Sequence, residues 1–126
     1  MDEIRLINAL EQVAQVSAKD CITNQRIISF LVKEEDVGKA IGKNAVNVRA
    51  LQNKLKKHIE IIGYQLEPEK MVAKELEVTV QSTGKKNGKL VTKMSQSGKR
   101  KALGNGKFRR VKEFIERNHD LELIIS

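Results

Sequence analysis

Between Val37 and Val48 the chain reads VGKAIGKNAVNV, which sets a short loop, Gly42-Lys43-Asn44-Ala45, between two apolar-periodic segments. Val37 and Ile41 lie four apart before the loop, and Val48, Leu51 and Leu55 lie three and four apart after it. That spacing predicts helix, tight turn, helix, with a lysine at the joint. Glycine lets another backbone come close, and the N–H groups that open a helix attract phosphate. Lys43 adds charge, and Asn44 can hydrogen-bond phosphate or sugar. The ligand this chemistry suits is a nucleic-acid backbone. Its candidate contacts are Gly38, Lys39, Ile41, Gly42, Lys43, Asn44, Ala45 and Arg49, with Lys39 and Arg49 as flanking charges. Val37, Ile41 and Val48 are candidates for an apolar groove or for the core beneath it. For Val48, Leu51 and Leu55 core packing is the stronger expectation.

Charge points the same way. The 126-residue chain carries a net charge of +8, unevenly spread. Residues 1–63 hold ten Lys/Arg against eight Asp/Glu, whereas residues 81–112 hold eleven Lys/Arg and no acid. An uncompensated run of that kind is a candidate polyanion surface, or else a solvated basic face. Within it Lys99, Arg100, Lys101, Gly104, Lys107, Arg109 and Arg110 join the candidate nucleic-acid contacts.

Other chemistries find little support. Cys21 is the single cysteine, so no intramolecular disulfide forms, and no Cys/His cluster offers metal ligands. His58 and His119 both end amphipathic segments, where a cation at a helix C-terminus is the ordinary explanation. A phosphate-binding GxxxxGK[ST] loop is excluded, because Gly38 to Gly42 is one residue short and Asn44 follows Lys43. No Ser/His/Asp or Cys/His set is evident, so no enzymatic activity and no cofactor are expected. The opening MDEIRLINALEQ is acidic and amphipathic rather than a signal peptide. No apolar run approaches the roughly 18 residues of a membrane span. A cytoplasmic monomer without membrane contact is expected. Aromatics are only 3% of the chain, too few for a stacking platform.

The elements that must position these residues follow from periodicity. Ile4, Ile7, Leu10 and Val13 predict a helix over 2–15. Residues 20–33 predict a hairpin turning at Thr23-Asn24-Gln25, and 58–63 a short strand. With helices over 35–41 and 46–57, the order is helix, strand, strand, helix, helix, strand. Pro68 marks the connection to a second unit. There, a short helix over 68–75, a strand through Leu76, Val78 and Val80, a turn at Gly84 to Gly88, a return strand over 89–94, a helix over 107–118 and a strand from Leu121 to Ile125 are expected. Asn87-Gly88 is the strongest hairpin signal. The halves match at an offset of 60, which lays Val48, Leu51 and Leu55 on Phe108, Val111 and Ile115 and suggests an internal duplication. Gly42-Lys43-Asn44-Ala45 then falls on Ala102-Leu103-Gly104-Asn105, a degenerate loop that Gly104 and Gly106 would serve only with a shift.

The run Ala40 to Val48 resembles the K-homology (KH) motif, whose core reads apolar-Ile-Gly-x-x-Gly-x-x-apolar, with Ala45 in place of the second glycine. If the loop needs positive φ there, alanine costs roughly 1 kcal/mol; if it needs close approach, the methyl holds the phosphate away. The element order is that of the type II KH domain. The resemblance therefore implies an α+β protein of two tandem type II KH domains, residues 1–64 and 65–126, each a three-stranded sheet packed by helices. Together with the opening DEIRLINALEQ, the AKDCI strand and the VGKAIGKN loop, this organisation resembles the archaeal NusA-like transcription factors. That resemblance implies binding of single-stranded nascent RNA in transcription elongation or termination, with RNA polymerase or the elongation complex as a further partner. A different class of reading is a ribosome-associated or protein-interaction scaffold that touches RNA only through nonspecific charge.

Overall fold

A computed structural model describes residues 2–126; Met1, which opens the first expected domain, lies outside them. The chain divides into two compact units, Met1–Tyr64 and Gln65–Ser126. In the first unit the order is α1 (Glu3–Ala14), β1 (Asp20–Thr23), β2 (Ile27–Lys33), α2 (Val37–Ile41), α3 (Val46–Leu55) and β3 (His58–Tyr64). The second unit runs α4 (Pro68–Glu75), β4 (Ser82–Lys86), β5 (Lys89–Lys93), α5 (Gln96–Gly104), α6 (Phe108–His119) and β6 (Glu122–Ile125). Each unit has one three-stranded sheet, ordered β1-β2-β3 and β4-β5-β6. In both, the first pair is antiparallel and the second parallel. The architecture is α+β, with the same element order and strand directions twice.

Local chemistry explains the first unit. Asp2 caps α1 by accepting from the Arg5 N–H at 2.9 Å, and Gln15 ends it in the left-handed region. Asn24 makes the hairpin turn, its Oδ1 accepting from the N–H groups of Arg26 (2.8 Å) and Ile27 (2.9 Å). Leu6 and Leu10 of α1, Ile28, Phe30 and Val32 of β2, Ala40 of α2, Leu51 and Leu55 of α3 and Ile59 of β3 form one buried cluster. Alternate residues of β2 thus face the helices, as the period of two requires. Each of the larger side chains among these, Ala40 apart, contributes on the order of 1.5–3 kcal/mol of burial.

The second unit departs from expectation in three places. The alternation of Leu76, Val78 and Val80 is not a strand: Leu76 caps α4 and Glu77 has φ +55°. The strand begins instead at Ser82, and all five residues of β4 are exposed, so no hydrophobic alternation marked it. Gly84 lies inside β4, and only Asn87 and Gly88 turn the hairpin, with φ of +52° and +74°, as an Asn-Gly type I′ turn needs. Residues 96–104, not expected to be helical, form α5; Ser95 caps it by accepting from the Gly98 N–H at 3.0 Å.

Gly63 ties a helix to its sheet. A Cβ built on Gly63 of β3 would overlap the Glu34 carboxylate and come 3.0 Å from Val37 Cγ2. Glu34 opens the 3-10 turn that leads into α2, so its seat on the strand fixes where α2 starts. His58 opens β3 and is exposed. His119 is the last residue of α6, but it is not the helix-end cation expected. Burial lowers its pKa, against a hydrogen bond with the Gln65 backbone that raises it; Lys85 lowers it further and Glu69 raises it.

Replacing Gly63 with alanine should displace Glu34 and cost about 1–3 kcal/mol, the range for disturbing a half-buried polar group; an unchanged urea midpoint would contradict this. Because the unfolded chain protonates His119 more readily, the stability present above its ordinary value of 6.5 is lost as the pH falls below it. The thermal midpoint of wild type should therefore drop more between neutral and mildly acidic pH than that of His119→Gln. Parallel pH profiles would contradict the assignment.

Candidate nucleic-acid interface

The corner between α2 and α3 is built by backbone conformation. Gly42 ends α2 with φ +80° and ψ 162°, a region closed to residues with a Cβ. Asn44 and Ala45 follow with φ of +56° and +59°, both in the left-handed region. Asparagine tolerates that region; alanine does not do so freely. The first of the two explanations for Ala45 therefore holds: this position requires positive φ.

Side chains lock the corner. A Cβ on Gly42 would stand 2.9 Å from Asn47 Cγ and Nδ2 and 3.0 Å from its backbone N. Asn47 occupies that space because its Nδ2 donates to the Lys39 carbonyl at 2.9 Å, joining the end of α2 to the first turn of α3. The guanidinium of Arg49 donates to the Asn44 carbonyl. Arg49 thus braces the loop from the surface instead of standing only as a flanking charge. Asn47 was not singled out by sequence; an amide in the first turn after a glycine corner was the available signal.

The structure brings the eight candidates of the first unit together on α2, the corner and the first turn of α3. Gly38, Lys39, Lys43, Asn44 and Arg49 are exposed, while Ile41, Gly42 and Ala45 are half-buried. Leu51 and Leu55 are core, and Val37 and Val48 pack against that core. Val46, at the first position of α3, is 53% exposed, an apolar surface beside the basic loop that the sequence did not mark.

The corresponding corner of the second unit lies between α5 and α6. It carries Lys99, Arg100 and Lys101 on α5, Gly104 at its end, Lys107 as the residue before α6, and Arg109 and Arg110 in the first turn. The repeat is not uniform. Buried Ile28 pairs with Ile59, and buried Leu90 with Leu123, an offset of 62 at the middle strand. Buried Ala40 and Ala102 keep 62, while Leu51 and Val111 are 60 apart. The second corner is therefore two residues shorter. It also has no residue of positive φ between Gly88 and Asp120, and a Cβ on Gly104 or Gly106 would meet nothing within 4 Å. Asn105 makes an ordinary turn, its Oδ1 accepting from the Lys107 N–H at 2.8 Å. Arg110 donates to the Gly106 carbonyl at 2.8 Å, as Arg49 does to Asn44. Lys107 Nζ lies 3.4 Å from Glu75 Oε1, whose side chain is 8% exposed. Removing Lys107 would strip this carboxylate of a charge partner, so Lys107 serves the fold first.

Among the described residues no group of three or more His, Cys, Asp or Glu is placed to hold a metal, and no helix is long and apolar enough to cross a membrane.

Three comparisons bear on this geometry. No family model matches the chain. Over 63 residues, 50% of the chain, it is 43% identical to a Methanocaldococcus jannaschii protein named "Probable transcription termination protein NusA", covering 34% of that protein. A Methanococcus vannielii protein of the same name is 35% identical over 63 residues, 36% of its own length. The matched stretch is thus about a third of each relative's length. The solved structure described as "Crystal structure of APE1850" superposes with a TM-score of 0.82 at 28% identity, covering 98% of this chain and 97% of that one.

Substituting Ala45→Gly should relieve the left-handed strain and stabilise the chain by about 1 kcal/mol, read as a higher urea midpoint with an unchanged slope. A midpoint that stays put or falls would contradict the requirement for positive φ.

Proposed function

We propose that this chain, NusA-like over half its length, binds single-stranded nascent RNA during transcription elongation or termination. Each unit is read as a type II KH domain, residues 1–64 and 65–126, and the paired three-stranded sheets and helix order are compatible with that fold. The observation that carries the proposal is the α2–α3 corner. Gly42 takes the backbone through the positive-φ turn, Lys43 and Asn44 stand exposed at the tip, and α3 opens immediately behind them. A KH corner of this kind clamps about four nucleotides of single strand. Lys39 and Lys43 supply charge, Asn44 hydrogen-bonds phosphate or sugar, and Ile41 with Val46 offers aliphatic surface to a base. Arg49 positions the loop. No catalytic step and no cofactor are involved; the protein acts in the cytoplasm, with the transcribing polymerase as its further partner.

The second corner supports a more limited role. Without left-handed residues it presents charge but no preformed clamp, so Lys99, Arg100, Lys101, Arg109 and Arg110 hold phosphate nonspecifically. The same observation favours the scaffold reading for the second unit, should binding prove indifferent to the first corner.

Anisotropy titrations of a short single-stranded RNA at two salt concentrations test this. Aspartate tolerates the left-handed region as asparagine does, so Lys43→Asp/Asn44→Asp keeps the corner while reversing its charge. The double variant should lose about tenfold in affinity or more, and the salt slope of wild type should approach −0.7 per phosphate neutralised. If only a charge-reduced Lys99/Arg100/Lys101 variant weakens binding, recognition does not reside in the first corner.

A further inference from the structure

The basic run 81–112 does not form one surface. Gly88 at the hairpin turn accepts from the Glu122 N–H at 2.9 Å, and Lys85 is close enough to His119 to lower its pKa. The β4–β5 turn therefore lies at the His119 end of α6. The α5–α6 corner lies at the Phe108 end, and the 12 residues of α6 separate the two by about 18 Å. The charge is split into two patches at opposite ends of one unit.

The hairpin patch has an arrangement of its own. Leu90 and Thr92 are buried, so Lys89, Val91 and Lys93 share the opposite face of β5. In the ladder Lys86 stands directly across from Lys89, so Lys86, Lys89 and Lys93 line that face, all exposed. Glu122, paired with Lys89 in β6, is the one acid on that face of the three strands. Like charges directly opposite in a sheet repel. A lysine pair at the end of an exposed hairpin is unfavourable alone and becomes favourable with an anion between its ammonium groups. Both faces and the outer edge of β4 are open to solvent, so a polyanion can reach the pair.

We infer that the outer face of the β4–β5 hairpin at its turn end, through Lys86 and Lys89, is a second contact for the phosphate backbone of single-stranded RNA, separate from the α5–α6 corner. The inference rests on the RNA-binding reading above. It assigns to the second unit a charge contact that needs no glycine corner. It also explains why a unit without a clamp retains eleven positive charges in a stretch with no acid.

The test is anisotropy of a labelled oligouridylate of about 20 nucleotides with the full chain, from about 50 to 200 mM salt. Wild type, Lys86→Gln/Lys89→Gln and Lys43→Asp/Asn44→Asp are compared. Losing two phosphate contacts should flatten the log–log slope of the hairpin variant by about 1.4, so its affinity falls about sevenfold less than that of wild type over that range. Its thermal midpoint at low salt should hold or rise, because a repulsive pair has gone, which separates lost contact from lost fold. An unchanged slope, with the corner variant still impaired, would overturn this inference and leave the first-corner reading standing; the lysines would then serve to keep the strand edge from pairing. An unchanged slope combined with loss of binding to a polyglutamate probe would overturn it in favour of an acidic protein partner. Loss of RNA dependence in every variant, including wild type, would overturn both readings.

Discussion

The first unit depends on a backbone requirement at one corner. To bring α3 back across the sheet after α2, the chain passes through positive φ at Gly42, Asn44 and Ala45. Glycine meets that demand without strain and asparagine with little, while alanine meets it at a cost. The cost is borne by the surroundings. Asn47 fills the space beside Gly42 and holds the Lys39 carbonyl, Arg49 holds the Asn44 carbonyl, and Ala40, Leu51 and Leu55 anchor both helices in the core. Strain at a solvent-facing loop that the core over-determines is a common feature of ligand sites. Here it leaves a lysine, an asparagine and the start of a helix pointing outward together.

The second unit dispenses with that requirement. Its strands keep the same order and directions, and its helices bury equivalent residues, Ala102, Val111 and Ile115. Its corner, two residues shorter, turns through an asparagine side chain without left-handed backbone. The fold survives because the core needs only the helix faces and not the corner's geometry. The kind of contact on offer changes, from a shaped loop to dispersed charge on α5, α6 and the hairpin. Two units of one architecture thus differ at the loop and share the layers that support it.

Much of this was legible in the residues. The spacing of Leu6 and Leu10, the β-branched run from Ile27 to Val32 and the apolar positions around Gly42 carry the first unit, because each element there buries one face and so shows its period. Asn87-Gly88 located the second hairpin. The strand before it was illegible: Ser82–Lys86 buries nothing, so only its pairing with β5 makes it a strand. Leu76, Val78 and Val80 imitated one, although Leu76 is buried as the residue that caps α4. α5 hid for a related reason, since Ala102 is its single buried residue and its cap is a serine three residues before a glycine. The second corner was misplaced because a uniform offset of 60 ignored the two residues lost between the helices. The division of the basic run into two patches could not be read from order along the chain, because it depends on the β4–β5 turn and the α5–α6 corner standing at opposite ends of α6.

The central claim is that RNA is recognised at the α2–α3 corner by backbone and side chains together. Titrating the isotopically labelled chain with a short single-stranded RNA and following its amide resonances by NMR tests it most directly. The account predicts that the largest saturable shifts fall on residues 42–47, with smaller changes along α2. Shifts confined to the lysine-rich segments of the second unit, with residues 42–47 unmoved at saturation, would contradict it.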